Sequence, residues 1–381
     1  MFGDVNMKPI VFVDVEVSEN KIKDLGAIDE RGSQYHDISV TKFENFVSKY
    51  YYICGHNILK HDLKYIEKYI PKKYKYIDTL YISPLIYPKN KIHSLVKDDK
   101  LLSDCVNNPL NDSIKAKELF YKEVSEFNNL NKNLRSILGT LLYKTPEFEG
   151  FFEWTKWNRS WNLKKDILNN FEGKICQNAN IDKLIENHPI ELGYMLSLIS
   201  SDEKYETVSP WVQINFPYID VIIKELRGTS CNECDYCKKK FDPVLRLQEI
   251  FGYKEFRKYG ENNEPLQEKA VKAALNGESI LTIFPTGGGK SITFQLPALI
   301  AGEATKGLTV VISPLQSLMK DQVDGLEKKN IIDAVTINGM LDPVARKEAI
   351  ERVREGEHRY YISLLNCYVL KRLKVYYCLE K

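Results

Sequence analysis

Apolar and polar positions alternate with three distinct textures along the chain. Val11-Phe12-Val13-Asp14-Val15-Glu16-Val17 is dense in β-branched residues and predicts a buried opening strand. Residues 56–70 carry Leu59, Leu63, Ile66, Tyr69 and Ile70 at helical spacing and stop before Pro71. Helical stretches follow over 113–129 and 133–143, so an α/β domain is expected over residues 1–145. Residues 146–240 read as a mainly helical, cysteine-bearing connector. Within it Trp154, Trp157 and Trp161 fall on one face of a predicted helix, and 178–200 reads as a further helix. The tryptophans suit an aromatic core stripe, with a base-stacking platform as the alternative. From Phe241 onward the order becomes strand, glycine loop, helix, strand, helix. Ile280–Phe284, Leu308–Ile312, Ala334–Ile337 and Tyr360–Ser363 are the expected strands of a parallel sheet.

A length of 381 residues fits about two or three domains, and 43% hydrophobic with 28% charged residues fits globular folding. The net charge of +2 leaves partners open, because a near-neutral enzyme can still carry a basic groove. Every long apolar run is broken by charge well before membrane-spanning length. The start of the chain lacks the basic-then-apolar layout of a signal peptide. A cytoplasmic protein without a membrane partner is therefore expected, its eight cysteines held as thiols or metal ligands.

Asp14 and Glu16 stand two apart on the first strand and so project from one face. Carboxylates in an apolar strand are costly unless a cation binds them, and Mg²⁺ or Mn²⁺ is the natural partner. Gly55-His56-Asn57-Ile58-Leu59-Lys60-His61-Asp62, Asp78-Thr79-Leu80 and Asn107-Asn108-Pro109-Leu110-Asn111-Asp112 follow in order. With Asp14 and Glu16 they resemble the DEDD superfamily of 3′–5′ exonucleases over about residues 9–120. The resemblance implies a ribonuclease-H-like fold in which Asp14, Glu16, Asp62 and Asp112 hold two metal ions for phosphodiester hydrolysis. Single-stranded DNA or 3′ ends would be the substrate. Two departures stand out. Family members carry His or Tyr at the positions held here by Asn107 and Asn108, and neither amide can serve as a general base. The stretch from Asn57 to Asp62 is also longer than in many relatives. A slowed nuclease is expected, with His93 and His61 as the possible substitutes.

Cys231, Cys234 and Cys237 form a Cys-x₂-Cys-x₂-Cys series. Such close thiols suit zinc or a [4Fe–4S] cluster, and Cys176, the other connector cysteine, is the expected fourth ligand.

The predicted strand Ile280–Phe284 runs into Pro285-Thr286-Gly287-Gly288-Gly289-Lys290-Ser291 and then a helix. Glycines let the backbone wrap a phosphate, Lys290 and the helix N-terminus supply positive charge, and Ser291 suits Mg²⁺. Thr286 through Ser291 are thus the expected ATP-binding residues. The shortened pattern is that of superfamily 2 helicases. Leu247 to Tyr253, Phe256-Arg257 and Gln267 resemble the adenine-reading motif of RecQ helicases, although an insertion separates Arg257 from Gln267. Phe294-Gln295-Leu296-Pro297-Ala298 and the run from Val311 to Val323 resemble RecQ as well. The resemblance spans 241–363 and implies part of a RecA-like motor domain, with Ser313, Pro314 and Leu315 contacting single-stranded DNA.

Beyond Ser363 the RecQ pattern stops. Codons permitted from Leu365 onward, read one nucleotide earlier, can spell Pro-Glu-Leu-Leu-Arg-Ser-Lys-Thr-Ile-Glu, the continuation expected of that family. Residues 364–381 therefore read as a frameshifted tail, with a natural short variant as the alternative. The strands beside the missing Asp-Glu-x-His strand would then show open edges. Three functions follow: a DNA-processing enzyme whose surviving activity is exonucleolytic, a binder of nucleic acid and ATP without turnover, or a helicase completed by a separate motor half.

Overall fold

A computed structural model describes residues 8–70, 74–95, 108–201, 208–305, 309–313, 316–332, 334–337, 341–354, 360–363 and 375–377, without side chains at 316 or from 351 onward. Two compact units divide the chain. Unit 1 comprises 1–170, 181–200 and 209–216; unit 2 comprises 171–180, 201–208 and 217–381. The residues expected as one connector are thus shared between them.

Unit 1 is built on strands β1 (Ile10–Ser18), β2 (Lys21–Asp29), β3 (Gln34–His36), β4 (Tyr52–Gly55) and β5 (Lys75–Asp78). Their order is β3-β2-β1-β4-β5. β2 runs antiparallel to both β1 and β3, while β4 is parallel to β1 and to β5. The two-residue period of β1 sorts its side chains. Val11, Val13 and Val15 enter a core with Leu25, Ala27, Phe43, Ile53 and Ile66. On the other face Phe12 meets Phe120, ring centroids 5.6 Å apart. Asp14 and Glu16 continue that second face.

Helices α1 (Val40–Val47), α2 (Leu63–Ile66) and α3 (Thr79–Ile86) lie between and after the parallel strands. The helix expected over 56–70 is reduced to α2 and a 3₁₀ turn at Glu67–Tyr69. α4 (Pro109–Asn129) and α5 (Lys132–Leu142) match the next two helical readings, α4 starting four residues earlier. Pro109 at its first turn and the Asn108 cap explain the start. Then come α6 (Glu149–Trp154), α7 (Leu163–Asn170), α8 (Ile181–Asn187), α9 (Pro189–Ser200) and α10 (Pro210–Asn215). The 178–200 helix is split, because Pro189 cannot continue α8 and instead opens α9.

The tryptophan stripe does not lie on one helix. α6 ends at Trp154, which is buried against Tyr52 and Phe120. Trp157 sits in the following loop, its Nε1 donating to the Phe152 carbonyl at 2.9 Å, and Trp161 is 97% exposed.

Unit 2 holds α11 (Ile219–Ile223) and a π turn (Lys224–Gly228), then α12 (Asp235–Phe241), α13 (Pro243–Phe251), α14 (Leu266–Leu275) and α15 (Ile292–Thr305). β6 (Thr309–Ile312), α16 (Gln316–Glu327), β7 (Ala334–Ile337), α17 (Pro343–Arg354), β8 (Tyr360–Ser363) and β9 (Val375–Tyr377) complete it. The sheet is parallel throughout, in the order β7-β8-β6-β9. Three of the four expected strands are present, but Ile280–Phe284 lies outside any strand, with Leu281 80% and Ile283 85% exposed. β6 is paired on both sides, with β8 and with β9. Its partner β9 comes from within residues 364–381. No helix among the described residues is long and apolar enough to cross a membrane.

Candidate functional site

Among the described residues three clusters of chemistry-bearing side chains form, one in unit 1 and two in unit 2. In unit 1, carboxylate oxygens of Asp14 and Glu16 from β1 and of Asp112 from the first turn of α4 lie within 4.8 Å of one another. The α4 N-terminus reaches them because β2 offers Gly26 where the helix crosses. A Cβ at Gly26 would stand 2.2 Å from the backbone of Pro109 and Leu110. Ser113 reinforces the crossing, its hydroxyl donating to the Gly26 carbonyl at 3.1 Å.

Asp62 is buried beside this cluster rather than within the 4.8 Å group. Its Oδ1 accepts the Val15 N–H, between Asp14 and Glu16, at 3.0 Å. Burial pushes the Asp62 carboxyl up, opposed by His61, whose Nδ1 lies 3.4 Å from the same oxygen. The hydrogen bond to Asp62 in turn raises His61, and Glu16 adds to it. His61 is half exposed there. His93, the other substitute considered, is buried and bonded to Ser83 Oγ at 2.9 Å. Asn108 caps α4, its Oδ1 accepting from Leu110 and Asn111, so it has a structural duty. Asn107 lies outside the described residues.

Asp78 shapes the turn that delivers Asp62. Fully buried at the end of β5, it accepts N–H bonds from Asn57 (2.8 Å), Leu59 (3.0 Å) and Leu80 (3.0 Å). Asn57 is left-handed, φ 65°, as such a turn requires. Burial drives the Asp78 carboxyl up to about 7 against those three donors. Its role as a turn clamp has no signature in motif spacing.

In unit 2 the loop Pro285–Ser291 precedes α15 as expected. Gly287 and Gly289 are both at φ 73°, open to glycine without strain, and the Gly288 N–H closes a turn on the Pro285 carbonyl at 2.9 Å. Three successive loop carbonyls are held by side chains. Arg257 Nη1 donates to Gly287 at 2.5 Å, the Tyr259 hydroxyl to Gly288, and Gln267 Nε2 to Gly289 at 2.8 Å. A planar trans peptide points N–H opposite to C=O, so the N–H groups of Gly289 and Lys290 face away from this clamp. That is the side from which a helix N-terminus receives a phosphate. The insertion between Arg257 and Gln267 folds back as a Tyr259–Glu264 bridge. It leaves the Arg257 N–H 2.9 Å from Gln267 Oε1, so the two residues meet despite the added ones between them. Tyr259, inside the insertion, was not legible as a site residue. Of the expected DNA contacts Ser313 is buried at the end of β6, while Pro314 and Leu315 lie outside the described residues.

The second cluster of unit 2 unites Cys176 with Cys231, Cys234 and Cys237, all four sulfurs within 4.8 Å of one another. Cys105, Cys367 and Cys378 lie outside the described residues.

Residues 264–366 match the DEAD/DEAH box helicase family. Over 118 residues the chain is 42% identical to ATP-dependent helicase SGS1 of Saccharomyces cerevisiae, covering 31% of this chain and 8% of that protein. It is 49% identical over 118 residues to ATP-dependent DNA helicase RecQ of Haemophilus influenzae, covering 31% and 17%. It is 35% identical over 134 residues to probable ATP-dependent DNA helicase RecS of Bacillus subtilis, covering 34% and 24%. The chain thus carries a DEAD/DEAH helicase segment with RecQ-type relatives over part of its length, and spans at most 24% of these three relatives.

Proposed function

We propose that the chain is a DNA-processing enzyme of RecQ type that carries an ATP-binding motor segment and, in unit 1, a metal-dependent 3′–5′ exonuclease. The motor reading rests on the similarity over 264–366 and on the Arg257–Tyr259–Gln267 clamp behind the phosphate loop. The nuclease reading rests on one observation: Asp14, Glu16 and Asp112 converge from elements about a hundred positions apart, with Asp62 fixed to the backbone between the first two. The strand order β3-β2-β1-β4-β5, with β2 alone reversed, supports the ribonuclease-H-like reading.

All-oxygen donors of like charge held this close suit a hard divalent ion. Asp14, Glu16, Asp62 and Asp112 would hold Mg²⁺ or Mn²⁺, whose contribution is activation of water and stabilisation of the leaving 3′ oxygen. The protein's own part is positional. β1 fixes two carboxylates on one face, the Val15 N–H orients Asp62, and the Asn108 cap sets the α4 turn that carries Asp112. At the motor segment, Lys290 and the loop N–H groups would bind the nucleotide phosphates, with Ser291 toward Mg²⁺.

A second reading, nucleic-acid and ATP binding without nuclease turnover, is favoured by Asn108 acting as a cap where relatives of the exonucleases place a base. A single-stranded oligonucleotide labelled at its 3′ end, incubated with Mn²⁺, separates the two. Stepwise release of labelled mononucleotide, abolished by EDTA and by Asp14→Ala, is the expected result. Activity that survives EDTA or Asp62→Ala refutes the nuclease, and tight binding without release supports the second reading.

A further inference from the structure

We propose that Cys176, Cys231, Cys234 and Cys237 bind one zinc ion as a closed tetrathiolate that staples segment 171–180 to the helical turn before the motor segment. Sequence spacing alone leaves zinc and a [4Fe–4S] cluster level. The distances separate them. A zinc–thiolate bond of about 2.3 Å sets the edge of the sulfur tetrahedron at about 3.8 Å. A cubane takes each thiolate on a different corner iron and so spreads the four sulfurs further apart. All four sulfurs here lie within 4.8 Å of one another, which a single ion can span.

The local backbone is already formed for that purpose. The Cys234 N–H donates to Cys231 Sγ at 3.4 Å, and the Cys237 N–H donates to Cys234 Sγ at 3.4 Å. Donors aimed at sulfur stabilise thiolate, the form that binds metal. Asn232, left-handed at φ 59°, turns the chain between the first two ligands. Cys234 caps α12, its sulfur accepting the Cys237 N–H, so two of the four ligands are set by one helix start. Cys176 arrives from 55 residues upstream and is anchored independently, its N–H donating to the Leu226 carbonyl at 2.8 Å. Asn178 Nδ2 to Glu233 at 3.1 Å and the Asn180 N–H to Glu225 at 3.0 Å tie the same segment down. None of the four forms a disulfide. Binding replaces four S–H protons by one Zn²⁺ and releases the protons to solvent, with no change of oxidation state.

The staple sits beside the helix that starts at the phosphate loop. Lys240 at the foot of α12 and Arg246 in α13 both pair with Glu303 in the last turn of α15. Arg227, whose carbonyl accepts the Tyr236 hydroxyl at 3.0 Å, reaches the Glu303 carbonyl at 3.5 Å. Zinc therefore holds the platform on which α15 rests, and makes no contact that chemistry on ATP requires.

The test is metal analysis of the full chain, purified anaerobically, followed by cobalt replacement. Zinc at one equivalent per chain is expected, lost in Cys231→Ser and Cys234→Ser and kept in Cys54→Ala. Because the serine variants can fail to fold, native protein stripped of zinc is titrated with Co²⁺. The visible bands and sulfur charge-transfer of a tetrahedral cobalt tetrathiolate, saturating at one equivalent, support the proposal. Iron in place of zinc, a cobalt spectrum with fewer than four thiolates, or native protein without metal whose four thiols react freely overturns it.

Discussion

Gly26 decides whether the α4 carboxylate can join those of β1, and Gly26→Ala should disable the proposed nuclease without touching any acidic residue. Gly26 pairs with Asp14 across the β1–β2 ladder. The new Cβ would lie 2.2 Å from Pro109 C and Leu110 N and 2.4 Å from the Pro109 carbonyl oxygen. Ordinary carbon contacts begin near 3.4 Å, so strand and helix must part by about 1 Å. Neither side can yield by a rotamer change, because both are backbone, and β2 is held between β1 and β3. Asp112 follows Leu110 by two residues on the displaced turn and moves with it. Misplacement of about 1 Å at a reacting centre costs on the order of 10²-fold in rate, and overpacking costs about 1–3 kcal/mol in stability. The assay is Mn²⁺-dependent release of label from a 3′-end-labelled strand, with Mn²⁺ affinity and thermal unfolding measured on the same protein. Gly325→Ala is the control, since a Cβ there meets nothing within 4 Å in α16. Wild-type rate and Mn²⁺ affinity in Gly26→Ala would mean that the close crossing does not set the carboxylate geometry.

Two further outcomes are expected. Burial pulls His56 and His93 down to about 4 from the usual 6.5, so folding favours the neutral rings; their contribution is complete above pH 6.5 and lost as pH falls toward 4. Each is worth roughly 3 kcal/mol or less, and a unit 1 urea midpoint that is flat from pH 7 to about 4 would count against it. Gln267→Ala removes both the donor to Gly289 and the acceptor for Arg257, and Tyr259→Phe removes the donor to Gly288. At about 1 kcal/mol per hydrogen bond, a fluorescent ATP analogue should bind roughly fivefold more weakly to Tyr259→Phe and roughly thirtyfold more weakly to Gln267→Ala, and unchanged affinity refutes the clamp.

Much of the nuclease candidate was legible because its signals are local. Asp14 and Glu16 are two apart on a strand, and period two alone places them on one face. The arrival of Asp112 was suggested only by resemblance, since nothing in spacing says that α4 crosses β2 at Gly26. Asn108 shows the limit of motif comparison. Read beside the exonucleases that the motif resembles it is a missing base; read beside Pro109 it is a helix cap, and its oxygen accepts the N–H groups that a cap accepts. Asp78 was noted as part of a motif, yet its three backbone donors come from two separate segments and no linear pattern encodes them.

The Ile280–Phe284 segment failed as a strand for a different reason. Its β-branched, apolar composition reports that it would fit a pleated surface, and composition carries no information about whether an edge is vacant. In unit 2 β6 has β8 on one side and β9 on the other, and the segment joins neither of the sheet's outer strands, β7 or β9. The same residues that suggested pairing are left with Leu281 and Ile283 in solvent. The phosphate loop nevertheless keeps its turn, because its geometry is fixed from elsewhere: two glycines at positive φ, and three side-chain donors that descend from the Arg257–Gln267 region. The loop and the strand before it are therefore separable. A loop built on such a clamp can hold its shape while the segment leading into it remains unpaired, and this is why the loop motif was readable where the strand was not.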